Sequence, residues 1–151
     1  MTESIKPQID SFAMGFHSVI PKSYIRFFKG DELELLLCGL PDIDIPDLKS
    51  NTEYPVCETT QWFWKVARSM RWERKQKLLL FWTAYPRVPY GGFKSVEKPL
   101  KIEVGEQGDE YLPQAHTCFK ILKLSNYSSK AMLKKNLITS IEYGYVGHGM
   151  P

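Results

Sequence analysis

Apolar residues recur at steps of three and four in three stretches of the chain and alternate in two others, a mixture that predicts helices together with a small sheet. Ile5, Ile9, Phe12, Phe16 and Val19 mark one face of an amphipathic helix that Pro21 ends or bends. A short apolar turn follows at Tyr24 to Phe28. Asp31, with Glu34 three residues on, resembles a capping box, and Gly39 sits where a helix end favours left-handed geometry. The stretch from Leu40 to Thr60 holds three prolines, many Asp, Asn and Thr, and little periodicity, and reads as a hinge between two packing units. Gln61 to Trp82 is the strongest helical region, with Trp62, Phe63, Val66 and Met70 on one face. Tyr85 to Gly92, rich in proline and glycine, reads as a loop. Leu100, Ile102 and Val104 alternate as in a strand, Gly105 to Glu110 reads as an acidic turn, and Phe119, Ile121, Leu122 and Leu124 suggest a second strand. Ser128 or Ser129 can cap a last helix, where Leu133, Leu137 and Ile141 share a face. The sum is an α+β protein, with helices in front and a small mixed sheet packed with helices behind.

Composition narrows the class. The 151 residues are 43% hydrophobic and 25% charged, as in a soluble globular protein, with enough apolar content for a real core. A net charge of +3 argues for neither a nucleic-acid partner nor a membrane surface. Lys65, Arg68, Arg71, Arg74, Lys75 and Lys77 do accompany aromatic residues, but tryptophans at helical spacing with interspersed cations suit a core face and a solvated face better than nucleic acid. No apolar run is long enough to span a bilayer. Cys38, Cys57 and Cys118 are odd in number and widely spaced, which argues against a disulfide framework. That favours a reducing compartment, the cytoplasm first and the nucleus second. No paired Cys/His spacing suggests zinc or another metal, and nothing points to a cofactor.

Candidate chemistry gathers at Leu112-Pro113-Gln114-Ala115-His116-Thr117-Cys118-Phe119. A cysteine in a polar loop just before a strand is accessible as a core cysteine is not. His116 and Lys120 flank it by two positions and favour the thiolate, the form that attacks carbonyl carbon and thioesters. A cysteine hydrolase is the weaker reading, because nothing places His17 or His148 against Cys118 with an orienting carboxylate.

The surrounding motifs resemble those of HECT-type ubiquitin ligases. Leu78-Leu79-Leu80-Phe81-Trp82-Thr83-Ala84-Tyr85-Pro86-Arg87-Val88-Pro89 is similar to the family's L-L-x-F-x-T-G-x-x-R-x-P. Gly91-Gly92-Phe93, the L-P-x-A-H-T-C-F run and Asn126-Tyr127-Ser128-Ser129-Lys130 follow in the family's order. Upstream, Phe12-Ala13-Met14-Gly15-Phe16 with Ile20-Pro21, Glu32-Leu33-Glu34-Leu35-Leu36 with Cys38-Gly39, and Asp42 to Tyr54 match as well. The resemblance implies residues 1–40 as the C-terminal helices of the family's N-lobe, 41–60 as a hinge, and 61–151 as its C-lobe with the catalytic cysteine.

The resemblance further implies that Cys118 accepts ubiquitin as a thioester from a ubiquitin-conjugating enzyme and passes it to lysines of protein substrates. His116 would support the thiolate, Thr117 would help hold the oxyanion, and Tyr145 stands nearest the family's C-terminal aromatic. Phe119 is expected to anchor the loop in the core. Some positions depart from the family: Ala84 replaces a glycine, Lys120 an asparagine, and Leu124-Ser125 an L-P. A non-catalytic module that binds ubiquitin or a ligase is the alternative these departures suggest. Because the family docks its conjugating enzyme on the larger part of the N-lobe, the chain alone is expected to load slowly or not at all.

Overall fold

The computed structural model describes residues 5–40 and 42–144, and the chain divides into two units, Met1–Cys38 and Gly39–Pro151. In the first unit, α1 (Lys6–Val19), α2 (Lys22–Ile25) and α3 (Gly30–Cys38) carry no buried residue. α1 begins with Pro7 in its first turn, where a missing N–H costs nothing, and gives way to extended backbone at Ile20, before Pro21. Its apolar stripe is present, with the Phe12 and Phe16 rings stacked at 6.4 Å, yet Phe12 and Val19 are 75% and 80% exposed. The start of α3 is closed by the Lys29 N–H donating to Glu32 Oε2 at 2.8 Å, two residues earlier than an Asp31–Glu34 box would place it.

The second unit holds the core. α4 (Ile45–Ser50) leads into the two-residue strand β1 (Thr52–Glu53), followed by α5 (Glu58–Ser69) and α6 (Trp72–Thr83). A 3-10 turn at Phe93–Ser95 precedes β2 (Leu100–Gly105). β3 (Gln114–His116), a 3-10 turn at Thr117–Phe119 and β4 (Ile121–Ser125) follow, and α7 (Lys130–Tyr143) closes the fold. The sheet runs in the order β1-β2-β4-β3. β1, β2 and β4 are parallel, and β3 pairs antiparallel to β4. This is the α+β architecture the pattern predicts.

Alternation decides which sheet face is covered. Leu100, Ile102, Leu122 and Leu124 point inward, fully buried against Phe63, Val66 and Ala67 of α5, Leu78 and Trp82 of α6, and Leu133 and Leu137 of α7. At ~25 cal/mol per Å2 of apolar surface, each such side chain contributes about 1.5–3 kcal/mol of burial. Ser129 is the N-cap of α7 and accepts from the Met132 N–H at 3.2 Å, whereas Ser128 is engaged elsewhere.

The structure corrects three expectations. The stretch read as a hinge contributes Ile43, Ile45 and Leu48 to the core and forms α4 and β1. Its apolar residues fall too irregularly among prolines and aspartates to show a period. The region Gln61–Trp82 is two helices, broken where Met70 turns extended (φ −72°, ψ 144°). The segment read as a polar loop before Cys118 contains β3, whose three residues bury only one face partially.

Candidate functional site

Cys118 sits in the middle of the 3-10 turn that joins β3 to β4. The two strands fix its position: Gln114, Ala115 and His116 pair with Lys123, Leu122 and Ile121. The turn closes with the Lys120 N–H donating to the Thr117 carbonyl at 3.1 Å. To re-enter the sheet at Ile121 the chain passes through left-handed backbone at Lys120 (φ 54°, ψ 37°). The cysteine is a free thiol and exposed. Among the described residues its sulfur accepts and donates no hydrogen bond.

The turn is tied to the core through one oxygen. The Lys120 carbonyl accepts from the Trp82 indole Nε1–H at 2.7 Å and from the Lys101 N–H of β2 at 3.0 Å. Trp82 is fully buried and rests edge-on against Phe63. The last turn of α6 therefore reaches across the fold to hold the end of the cysteine turn. α6 stops immediately afterwards at Ala84, which adopts φ 66°, ψ 7° and donates its N–H to the Leu80 carbonyl.

The approach to β3 is held as firmly. Tyr127 Oη donates to the Tyr111 carbonyl at 2.8 Å. Asn136 of α7, buried, donates to the carbonyls of Asp109 at 2.7 Å and Tyr111 at 3.2 Å. Asp109 in turn accepts from the Ser128 N–H at 2.7 Å and from the Ser128 hydroxyl, bonds that hold its carboxyl below the ordinary value. Burial pushes the Tyr127 phenol up to about 12, so it remains a donor at any physiological pH. Trp82, Asn136 and Asp109 were not marked by the sequence reading. The only signal was the Asn126-Tyr127-Ser128 motif, two of whose members make these bonds.

The side chains expected to assist Cys118 are distributed unevenly. His116 is exposed at the end of β3. Glu103 lies below its usual range, chiefly through the hydrogen bond from Lys101 at 2.9 Å, with Lys123 and His116 adding positive charge. Thr117 is half-buried beside the cysteine, its hydroxyl without a hydrogen bond among the described residues. Phe119 does not anchor the loop in the core: its ring is 63% exposed, with Lys98 Nζ 5.9 Å from its centroid. The turn is anchored by backbone, which frees that ring. Tyr145 lies outside the described residues. Among those residues no three His, Cys, Asp or Glu side chains gather as a metal site, and no helix is long and apolar enough to cross a membrane.

Comparison with known proteins gives the family. The HECT-domain (ubiquitin-transferase) family matches residues 1–150. The chain belongs to the HECT family. The E3 ubiquitin-protein ligase UPL1 of Arabidopsis thaliana is 39% identical over 158 residues, covering 99% of this chain and 4% of UPL1. The E3 ubiquitin-protein ligase HACE1 of Danio rerio is 40% identical over 163 residues, covering 99% of this chain and 18% of HACE1. TOM1 of Saccharomyces cerevisiae, also an E3 ubiquitin-protein ligase, is 40% identical over 156 residues, 97% of this chain and 5% of its own. This HECT chain thus spans less than a fifth of the curated relatives it matches.

Two of the three departures noted in the sequence fall on backbone of one kind. Ala84 and Lys120, standing where the family resemblance expects glycine and asparagine, are the non-glycine residues with positive φ among the described residues. Glycine has no Cβ to clash in left-handed backbone, and asparagine tolerates it better than most residues.

Proposed function

We propose that this HECT chain carries ubiquitin as a thioester on Cys118 and transfers it to a substrate lysine. The Cys118 thiolate attacks the carbonyl carbon of the thioester that joins ubiquitin's C-terminus to a conjugating enzyme. The tetrahedral intermediate collapses with loss of the conjugating enzyme's thiolate, so one thioester replaces another. A substrate lysine, as neutral amine, then attacks the new thioester. An amide bond forms, the C–S bond breaks, and Cys118 leaves as thiolate while the amine's proton passes to water. The first step is close to neutral in free energy. The second is favourable because an amide is more stable than a thioester.

Neither step requires a buried acid–base relay, so positioning carries much of the acceleration. The observation that supports this reading is the free, exposed Cys118 on a turn whose closing carbonyl is held by Trp82 and Lys101. In this scheme Thr117 offers its hydroxyl to the oxyanion, and His116, when protonated, adds positive charge beside the turn. Tyr145 serves as the C-terminal aromatic in the ligation step.

Intact mass after incubation with activating enzyme, conjugating enzyme, ubiquitin and ATP tests the proposal. A one-ubiquitin adduct, slow to form on this chain alone, is expected to be lost on addition of thiol and missing from Cys118→Ala. An adduct that persists in Cys118→Ala refutes the assignment.

A second reading, a non-catalytic module that binds ubiquitin or another ligase, draws support from the unfavourable backbone at Ala84 and Lys120. A ubiquitin whose C-terminus bears a thiol-reactive electrophile separates the two. Labelling of Cys118 supports the acyl carrier even where enzymatic loading is slow. No labelling, with ubiquitin affinity equal in wild type and Cys118→Ala, supports the module.

A further inference from the structure

One exposed amine of the chain lies against the cysteine turn. Lys98 stands in the bend before β2, a strand fixed to the turn where the Lys101 N–H donates to the Lys120 carbonyl at 3.0 Å. From three residues upstream of that bond the Lys98 side chain reaches the turn itself. Its Nζ is 5.9 Å from the ring centroid of Phe119, the residue that follows Cys118. That distance is at the outer limit of about 6 Å for a cation over an aromatic face. Both partners are exposed, so the contact places the amine without holding it. Among the described residues Lys98 makes no hydrogen bond or ion pair. Lys101, by contrast, is paired with Glu103 Oε1 at 2.9 Å, and Lys120 is half-buried.

We propose that Lys98 is an internal acceptor: ubiquitin carried on Cys118 passes to the Lys98 amine of the same chain when no substrate takes it. The inference rests on the acyl-carrier reading of Cys118. As the neutral amine, Lys98 Nζ attacks the thioester carbonyl. The C–N bond forms, the C–S bond breaks, Cys118 leaves as thiolate and the amine's proton passes to water. The step is favourable for the same reason as transfer to a substrate, since an amide replaces a thioester. What favours Lys98 over other amines is proximity. Cys118 is exposed, so an acyl group on its sulfur stands on the solvent side of the turn, where the flexible four-carbon stem of a lysine can follow it. An amine carried on the same fold acts at an effective concentration on the order of millimolar, and so outruns substrate lysines present well below that level. The product restores the free thiol and leaves a ubiquitin tethered beside it.

The test loads the 151-residue chain with ubiquitin activated as its C-terminal thioester of 2-mercaptoethanesulfonate, which supplies the acyl group without a conjugating enzyme. After gel filtration removes the donor, intact mass with and without added thiol follows the conversion of the thiol-labile adduct to a thiol-resistant one. Tryptic mapping then locates the Gly-Gly remnant. The remnant is expected on Lys98, with a first-order rate constant unchanged when the chain is diluted tenfold. Lys98→Arg keeps the charge over the Phe119 ring but offers no nucleophilic amine. It should load as wild type and convert at least roughly tenfold more slowly, because the amines that remain lack that effective concentration. The proposal falls if Lys98→Arg converts as wild type, if the remnant sits on Lys120 or another lysine, if the rate scales with chain concentration, or if the thioester is lost to water with no Lys98 adduct. Absence of any thiol-labile adduct on wild type would sink the acyl-carrier reading and this proposal together, whereas each of the other outcomes sinks this proposal alone.

Discussion

Replacing Ala84 by glycine should stabilise the protein, although glycine at most positions does the opposite. Ala84 ends α6 at φ 66°, backbone that costs an L-residue about 1–2 kcal/mol. Glycine relieves that cost but adds about 0.4–1 kcal/mol of unfolded-state freedom to be lost on folding. The side chain is exposed, so no burial is lost, and the bond from the Ala84 N–H to the Leu80 carbonyl at 2.8 Å needs no side chain. The net gain is about 0.5–1 kcal/mol, or about 1–4 °C in Tm for a chain of this size. Gly39→Ala is the opposite control. Gly39 has φ 76°, and a Cβ there would sit 2.2 Å from the Val88 carbonyl oxygen, the acceptor for the Leu40 N–H at 2.7 Å. Left-handed strain plus that lost bond should cost about 2–3 kcal/mol. Urea unfolding followed by tryptophan fluorescence, with thermal melts, measures both. A midpoint for Ala84→Gly equal to or below wild type, at unchanged m-value, would falsify the strain assigned to α6's end.

Trp82→Phe removes the indole donor to the Lys120 carbonyl and should cost about 1–3 kcal/mol from the lost bond and the space left behind. If the clamp positions the thiol, labelling by the ubiquitin electrophile should slow while reaction with a small thiol reagent stays unchanged. Equal slowing of both would show a merely structural role. Asn136→Ala leaves the Asp109 carbonyl without its side-chain donor and removes one of two from Tyr111; a loss of about 1–3 kcal/mol in urea unfolding is expected. Asp109 has a folded pKa depressed from its usual 3.8 by Ser128. Its contribution is therefore present above pH ~4 and lost as pH falls through the folded value. Asp109→Asn should flatten Tm against pH below about 4, and an unchanged slope would show the Ser128 bonds to be inconsequential.

What the sequence made legible follows how far each feature depends on neighbours in the chain. The face of α7 repeats at intervals of four, and Leu133, Leu137 and Ile141 are buried together. β2 alternates over enough residues for Leu100 and Ile102 to declare its inner face. The break between α5 and α6 carries no proline or glycine and so left no mark at Met70 and Arg71. α4 was hidden because Ile45 and Leu48 meet the core from a short helix with a proline in its first turn, and Ile43 from the segment before it. β3 is three residues long, below the length at which alternation can be seen. At the candidate site, Cys118 was singled out by residue type and motif. The devices that hold it were not, because they join residues 25 to 38 positions apart through side chain and carbonyl. Phe119 was mistaken for the anchor for the same reason: hydrophobicity suggested burial, while a backbone oxygen supplied the attachment.

Two of the departures from the family pattern, Ala84 and Lys120, stand at the ends of a link made by the Trp82–Lys120 hydrogen bond, and this bears on what the site tolerates. Trp82 lies two residues before Ala84, so the left-handed stop at Ala84 follows the last turn of α6, where the indole is set. That indole holds the carbonyl of Lys120, the other left-handed residue, which closes the cysteine turn. Unfavourable backbone thus stands at both ends of the link between core and thiol. Strain of about 1–2 kcal/mol at each position is a sizeable part of the stability of a domain, about 5–15 kcal/mol, yet the bond geometry survives it at 2.7 Å. The fully buried Trp82 ring is what allows this, since its own packing keeps the donor in place whichever residue supplies the acceptor. Under the proposed carrier role, placing the thiol requires the bond and not the glycine or the asparagine. On that reasoning Ala84→Gly should raise stability while leaving the rate of Cys118 labelling as it is.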